Sequence, residues 1–268
     1  MKLKNILAQI IDYKKIEVAR NMAEMPASRL MKSPQFLRTP YSLKQRLVTQ
    51  KTPGIIAEFK RRSPSKNVIN DQVKVEAVTD AYTHGGASCL SVLTDSQFFG
   101  GSLDDLRIAR ANEIPILRKD FIIEQYQILE ARAAGADLVL LIAACLSAQR
   151  VRELAEYAKK LGLETLLEIH SEAELDRVCP DIDLVGINNR NLKTFEVDIQ
   201  HSIRLLSLLP TDRPAIAESG INDVKVTDEL FRAGFKGFLI GEYFMKNEDP
   251  GLAFNNYMKD LKALQSKD

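Results

Sequence analysis

Eight short apolar runs recur along the chain, each followed by a stretch with helical spacing, and no other feature of the sequence restricts the fold so strongly. The runs are Ile55–Lys60, Ser88–Leu93, Ile114–Lys119, Asp137–Ile142, Glu164–Ile169, Asp183–Asn188, Pro214–Glu218 and Gly237–Gly241. Their starts lie about 19 to 33 residues apart, which is the room that a strand, a short loop and a crossover helix need. Parallel strands are covered on both faces, so they read as continuous apolar runs. Strict alternation of eight such strands with helices favours a single (β/α)8 TIM barrel over an open sheet.

The segments between the runs carry the matching helical signals. From Ser147 to Leu161, Val151, Leu154, Ala155 and Ala158 share one stripe while Arg150, Arg152, Glu153, Glu156 and Lys159 face away. Ser147 suits the N-cap and Gly162 the stop. Ala134-Gly135-Ala136 and Gly85-Gly86-Ala87 fit corners where glycine ends a helix before the next strand.

Residues 1–47 precede the first run. They contain a helical stripe of Leu3, Leu7, Ile10, Ile11 and Lys14, and then Pro26, Pro34 and Pro40, which exclude one continuous helix. At 268 residues the chain could hold two small domains or one large barrel. The expected organisation is one domain over 1–268: a helical extension at 1–47 packed on the barrel, and eight βα units over 48–268.

Composition bears on partners and compartment. Thirty-seven Lys and Arg balance 36 Asp and Glu, a net charge of +1, so no global field attracts nucleic acid or an anionic membrane, and neither is expected as a partner. Cys89, Cys145 and Cys179 are scattered and form no CxxC pair, which argues against disulfides or structural zinc and for small buried apolar residues in a reducing compartment. Charges return at Asp12, Lys14, Lys15 and Glu17 before any secretory h-region accumulates, and no apolar run reaches the roughly 18 residues of a membrane span. A cytoplasmic protein is expected.

The chemistry is expected where strands end. Strand side chains alternate with period two, so Leu117, Leu166 and Ile216 pointing inward place Lys119, Glu168 and Glu218 at the barrel mouth. Glu58 and Lys60 share a face by the same parity. A lysine and glutamates held in a poorly solvated mouth can donate and accept protons near neutral pH. Keeping five such ionisable groups at strand ends for ion pairing alone would be costly. Glu218-Ser219-Gly220 and Gly241-Glu242 follow the seventh and eighth runs, where backbone N–H groups commonly meet a phosphate. His84 and His201 read as helix-surface residues, and His170 as structural or as a partner of Glu168. No HExxH, acidic cage, GxGxxG, Walker loop or GxSxG is present, so no metal, dinucleotide, ATP or acyl-enzyme chemistry is indicated.

Five segments together resemble the indole-3-glycerol-phosphate synthase family of tryptophan biosynthesis. They are Ile56-Ala57-Glu58-Phe59-Lys60-Arg61-Arg62-Ser63-Pro64-Ser65-Lys66, Leu117-Arg118-Lys119-Asp120-Phe121-Ile122, Leu167-Glu168-Ile169-His170-Ser171, Gly186-Ile187-Asn188-Asn189-Arg190-Asn191-Leu192 and Ala217-Glu218-Ser219-Gly220-Ile221. The likeness covers nearly the whole chain, including an N-terminal helical segment over the catalytic face. It implies condensation, decarboxylation and dehydration of 1-(2-carboxyphenylamino)-1-deoxyribulose 5-phosphate, without a cofactor.

By motif position, Lys119 resembles the general acid at the ketone oxygen, and Glu168 the base or acid partner of the dehydration. Glu58 and Lys60 stand against the substrate; the resemblance leaves the division of acid work between Lys60 and Lys119 open. It puts Asn188 and Arg190 at the anthranilate carboxylate, and Phe99 and Phe121 beside the aromatic ring. Glu218, Ser219, Gly220, Gly241 and Glu242 fall at sugar and phosphate, and Ser63 among the further substrate contacts. Lys60, Lys119 and Arg190 suit a small, doubly anionic substrate. The family usually has Gly after its Ser-Pro-Ser-Lys stretch; here Asn67, which also tolerates left-handed geometry, takes that place. A monomer or weak homo-oligomer is expected. The rival readings are another phosphate-binding barrel such as phosphoribosylanthranilate isomerase, which expects a Cys/Asp pair and a shorter chain, and a non-catalytic barrel subunit.

Overall fold

The computed structural model describes residues 6–64, 66–190 and 196–266. Leu3 of the N-terminal stripe, and Ser65, Asn191 and Leu192 of the motifs, lie outside them.

Every apolar run forms a strand. After β1 (Gly54–Phe59) comes a small antiparallel hairpin of β2 (Arg62–Ser63) and β3 (Asn67–Val68). The other barrel strands are β4 (Cys89–Leu93), β5 (Ile116–Lys119), β6 (Leu138–Ile142), β7 (Glu164–Ile169), β8 (Leu184–Asn188), β9 (Ala215–Glu218) and β10 (Gly237–Ile240). All neighbours are parallel, and β1 pairs with both β4 and β10, so the sheet closes. Alternation divides the core in two. Ile56, Cys89, Leu117, Leu138, Leu140, Leu166, Leu184, Ile216 and Leu239 fill the interior. Ile55, Ala57, Phe59, Leu90, Val92, Val139, Leu141 and Leu167 pack outward with the surrounding helices.

Around the barrel run α4 (Val75–His84), α5 (Leu103–Ala109), α6 (Gln125–Ala134), α7 (Ala148–Lys160), α8 (Ile199–Leu206), α9 (Val224–Ala233), α10 (Glu242–Met245) and α11 (Pro250–Gln265). Ser147 caps α7 by accepting from the Arg150 N–H, and Gly162 stops the chain there at φ 73°. One connection departs from the expected alternation. Between β7 and β8 the only helical element is a 3-10 segment, Glu172–Arg177. This is the tightest spacing of the series, too short for strand, loops and a full crossover helix. Ser63 ends β2 of the β2–β3 hairpin. Asn67 there adopts φ 54°, the left-handed geometry that asparagine tolerates.

The segment ahead of the barrel forms α1 (Ile6–Glu24), α2 (Ala27–Leu30), a 3-10 turn (Pro34–Leu37) and α3 (Leu43–Thr49), broken by the three prolines. It is a strap rather than a lid alone. α1 reaches residues after β4 and β5 at the mouth, Tyr126 Oη donates to the carbonyls of Asn21 and Met25, and Ser33 Oγ donates to the Ala133 carbonyl. α3 then closes the opposite end, with Leu43 and Leu47 joining the interior core. Its N-terminus is held by Glu164, whose carboxylate accepts from Ser42 Oγ and from the backbone N–H of Leu43 (2.9 Å) and Lys44 (3.1 Å). α3 runs to Thr49, two residues beyond the expected limit of the extension.

Candidate active site

Strand parity delivers the ionisable groups to one place. Lys119, the last residue of β5, extends its Nζ to 2.8 Å from Glu218 Oε2 and 3.4 Å from Glu168 Oε2. Glu168 is on β7, Glu218 ends β9, and both are buried. Across the mouth, Lys60 Nζ sits 2.7 Å from Glu58 Oε1, and the other Glu58 oxygen accepts from Ser91 Oγ at 3.3 Å. Asn188, in register with Glu218 on the neighbouring strand, donates Nδ2 to Glu168 Oε1 at 3.0 Å. Its Oδ1 accepts the Arg190 N–H at 3.0 Å.

The two buried glutamates occupy opposite electrostatic environments. Burial opposes ionisation of Glu168, but Lys119, His170 and Asn188 outweigh it and hold the carboxyl well below the usual carboxylate range. Among the described residues Glu218 pairs with one cation, Lys119, and faces the carboxylates of Glu168 and Glu58; burial, with these like charges, pushes it well above the usual range. Burial disfavours the Lys119 ammonium, yet Glu218, Glu168 and Glu58 together keep it charged far above neutral pH. His170 Nε2 lies 3.1 Å from Glu168 Oε1; burial opposes its charge, but Glu168 and Glu174 raise it to about 10. The mouth thus holds a charged acid, an ionised carboxylate and a carboxyl that titrates nearer neutrality.

The remaining candidates ring this centre. Phe99 and Phe121 are half-buried, with ring centroids 6.0 Å apart and planes at 40°. Ser219 and Gly220 are successive left-handed residues, φ 66° and 69°, so the chain turns sharply after β9. Gly241 lies against Glu58, where a Cβ would stand 2.6 Å from Oε1. Ser63 is half-buried in the hairpin. Arg190 points toward Glu242, Nη2 to Oε2 3.9 Å, and Lys66 approaches the same carboxylate at 3.8 Å. Among the described residues no group of His, Cys, Asp and Glu is arranged to hold a metal ion.

The family model described as indole-3-glycerol phosphate synthase matches residues 7–256. An indole-3-glycerol phosphate synthase of Bacteroides thetaiotaomicron is 48% identical over 261 residues, 97% of this chain and 100% of that one. One of Rhodopirellula baltica is 44% identical over 250 residues, 92% and 96% of the two chains.

The chain belongs to the indole-3-glycerol phosphate synthase family.

Its activity is that of a carboxy-lyase of tryptophan biosynthesis acting on a small phosphorylated substrate. Among solved structures, tryptophan synthase subunit alpha from Legionella pneumophila superposes with a TM-score of 0.63 at 15% identity, covering 87% of this chain and 99% of that one. That likeness carries the barrel fold alone. No helix among the described residues is long and apolar enough to cross a membrane.

Several residues around the family site escaped the sequence reading. Ser91 supports Glu58 from the next strand, and Asn189, buried, donates Nδ2 to the Ser219 carbonyl at 2.8 Å. His201, expected at a helix surface, is half-buried with Nε2 3.1 Å from the His170 carbonyl. Cys145, expected buried, is partly exposed. Gly186, in register with Glu168, leaves the space that Glu218 fills: a Cβ there would stand 2.2 Å from Glu218 Oε1 and 3.3 Å from Cδ. Gly186→Ala is therefore expected to push that carboxylate off Lys119. A loss of about one to two orders of magnitude in kcat/KM should follow with the circular dichroism unchanged, since a displacement of about 1 Å costs that much.

Proposed function

We propose that ring closure of 1-(2-carboxyphenylamino)-1-deoxyribulose 5-phosphate is carried by Lys119 and Glu168, with Glu58, Lys60 and Glu218 setting the charge around them. The observation that carries this reading is the Lys119 ammonium lying within reach of both Glu168 and Glu218 at the closed end of a poorly solvated mouth. As the ring carbon bearing the carboxylate attacks C2, the carbonyl π electrons pass to oxygen and Lys119 supplies the proton that makes it a hydroxyl. The carboxylate then leaves as CO2, and its bonding electrons restore the aromatic ring. In the dehydration Glu168, ionised at neutral pH, accepts a proton from the former C1 while the hydroxyl departs as water with a proton from an ammonium group. Lys60 and Lys119 are both placed to supply protons.

Asn188 and Arg190 serve the anthranilate carboxylate, Phe99 and Phe121 the aromatic ring, and Ser63 the substrate flank. Ser219, Gly220, Gly241 and Glu242 serve the sugar and phosphate. Support for the phosphate end comes from the paired left-handed residues after β9. The proposal extends to one cytoplasmic domain working as a monomer or weak homo-oligomer, since all these residues come from a single chain.

The charge arrangement predicts a pH profile. Glu218 holds Lys119 only while ionised, so kcat/KM should fall as pH drops through its raised pKa, giving an acid limb above the ordinary carboxylate value of about 4.3. Glu218→Gln should abolish that limb and lower the plateau roughly tenfold; an unmoved limb would assign it elsewhere. Stability runs the other way. The folded chain binds this proton more tightly than the unfolded one, so Glu218's contribution is present below the unfolded value and is lost as pH rises through the folded one.

A further inference from the structure

The mouth contains a second buried charge cluster, which the reaction steps leave unused. Lys14 lies on α1 between Ile10 and Val18, on the stripe that faces the barrel, and its side chain is completely buried. Its Nζ is 2.9 Å from Asp95 Oδ2, 2.9 Å from Asp120 Oδ1 and 3.0 Å from Glu17 Oε1. Burying an ammonium is costly unless it is fully paired, and here three carboxylates compensate it.

Two of those carboxylates also fix backbone. Asp95 Oδ1 accepts the N–H groups of Phe98 (2.7 Å) and Phe99 (3.2 Å). Asp120 Oδ1 accepts the N–H of Phe121 at 2.8 Å, while its Oδ2 accepts from Thr94 Oγ1 at 2.6 Å and pairs with Arg118 at 3.1 Å. The backbones that carry the Phe99 and Phe121 rings are thus held by carboxylates that meet on one ammonium. Among the described residues Asp95 forms an ion pair with no cation but Lys14.

We propose that Lys14 is a positioning residue of the active site: its ammonium draws the segments after β4 and β5 together and sets the Phe99–Phe121 pair, which lines the aromatic slot where the substrate's ring lies. The inference rests on the reading of those two rings as flanking the anthranilate. Without Lys14, Asp95 and Asp120 become neighbouring buried like charges and separate, and each takes its phenylalanine with it. Among the described residues the phosphate end, built on β9 and β10, shares no hydrogen bond or ion pair with this cluster.

The test compares affinities for two ligands, a non-reactive substrate analogue with the ketone reduced to an alcohol, and inorganic phosphate. Lys14→Met should weaken the analogue about tenfold or more, raise KM more than it lowers kcat, and leave phosphate affinity within about twofold. A purely structural role would weaken both ligands alike, and that result, or wild-type analogue binding, overturns the proposal. Lys14→Arg keeps the charge in a bulkier, planar head and serves if Lys14→Met fails to fold. It should show the same selective loss in milder form, and unchanged analogue affinity again overturns the idea. Phe99→Ala separates the two readings. If it binds the analogue as wild type does, the aromatic slot itself is wrong; if it binds weakly while the Lys14 variants do not, only the role of Lys14 falls.

Discussion

Replacing Lys119 by alanine is expected to lower turnover by roughly two to four orders of magnitude while the barrel stays folded. Lys119 is the cation that touches both Glu168 and Glu218, and its charged state makes it an acid poised beside the site where the ketone oxygen acquires negative charge. The fold should survive because neither glutamate is left without recourse. Glu168 keeps His170 and Asn188, and Glu218, already shifted upward, takes a proton once its cation is gone. Single-turnover measurement of indole fluorescence, with circular dichroism on the same sample, separates the two effects. Near-wild-type turnover in a folded variant would remove Lys119 from the chemistry.

Glu168→Gln is expected to lower kcat by about two orders of magnitude or more with little change in KM, because the amide keeps a hydrogen-bond geometry with Asn188 but cannot accept a proton. A second, independent signature should accompany it. His170 owes its raised pKa, about 10, to Glu168 and Glu174 together, so loss of the Glu168 charge should bring the imidazole down toward the ordinary range near 6.5. An NMR titration of His170 reads this directly. An unshifted His170 would mean that Glu174, at 3.7 Å, carries the effect alone.

The legible part of this molecule was whatever follows from strand period and burial. Eight apolar runs became eight barrel strands because a parallel sheet covered on both faces admits little else. Lys119, Glu168 and Glu218 converged because each stands two residues beyond an inward-pointing Leu117, Leu166 or Ile216. Less legible was what depends on partners distant in sequence. Lys14 sits at the right period to share a face with Ile10, yet nothing local announces Asp95 and Asp120 as its counter-charges. Gly186 reads as an ordinary strand residue until the Glu218 carboxylate is seen to occupy its missing side chain. The β2–β3 hairpin, two residues on each side, is too short for any periodic signal. The 3-10 crossover after β7 is the exception: the short spacing between its flanking strands is visible in the sequence and leaves no room for a full helix.

The strap's contacts also bear on the order in which the chain can assemble. α3 is emitted from the ribosome before every strand of the barrel, but the carboxylate that caps it belongs to Glu164 on β7, and the interior it plugs includes Ile216 on β9 and Leu239 on β10. α1 likewise waits for Asp120. During translation the strap therefore precedes its own binding surfaces, and its apolar faces stay uncovered until most of the barrel has emerged. Synthesis and closure run in opposite directions, and a segment made before the barrel is seated among the last.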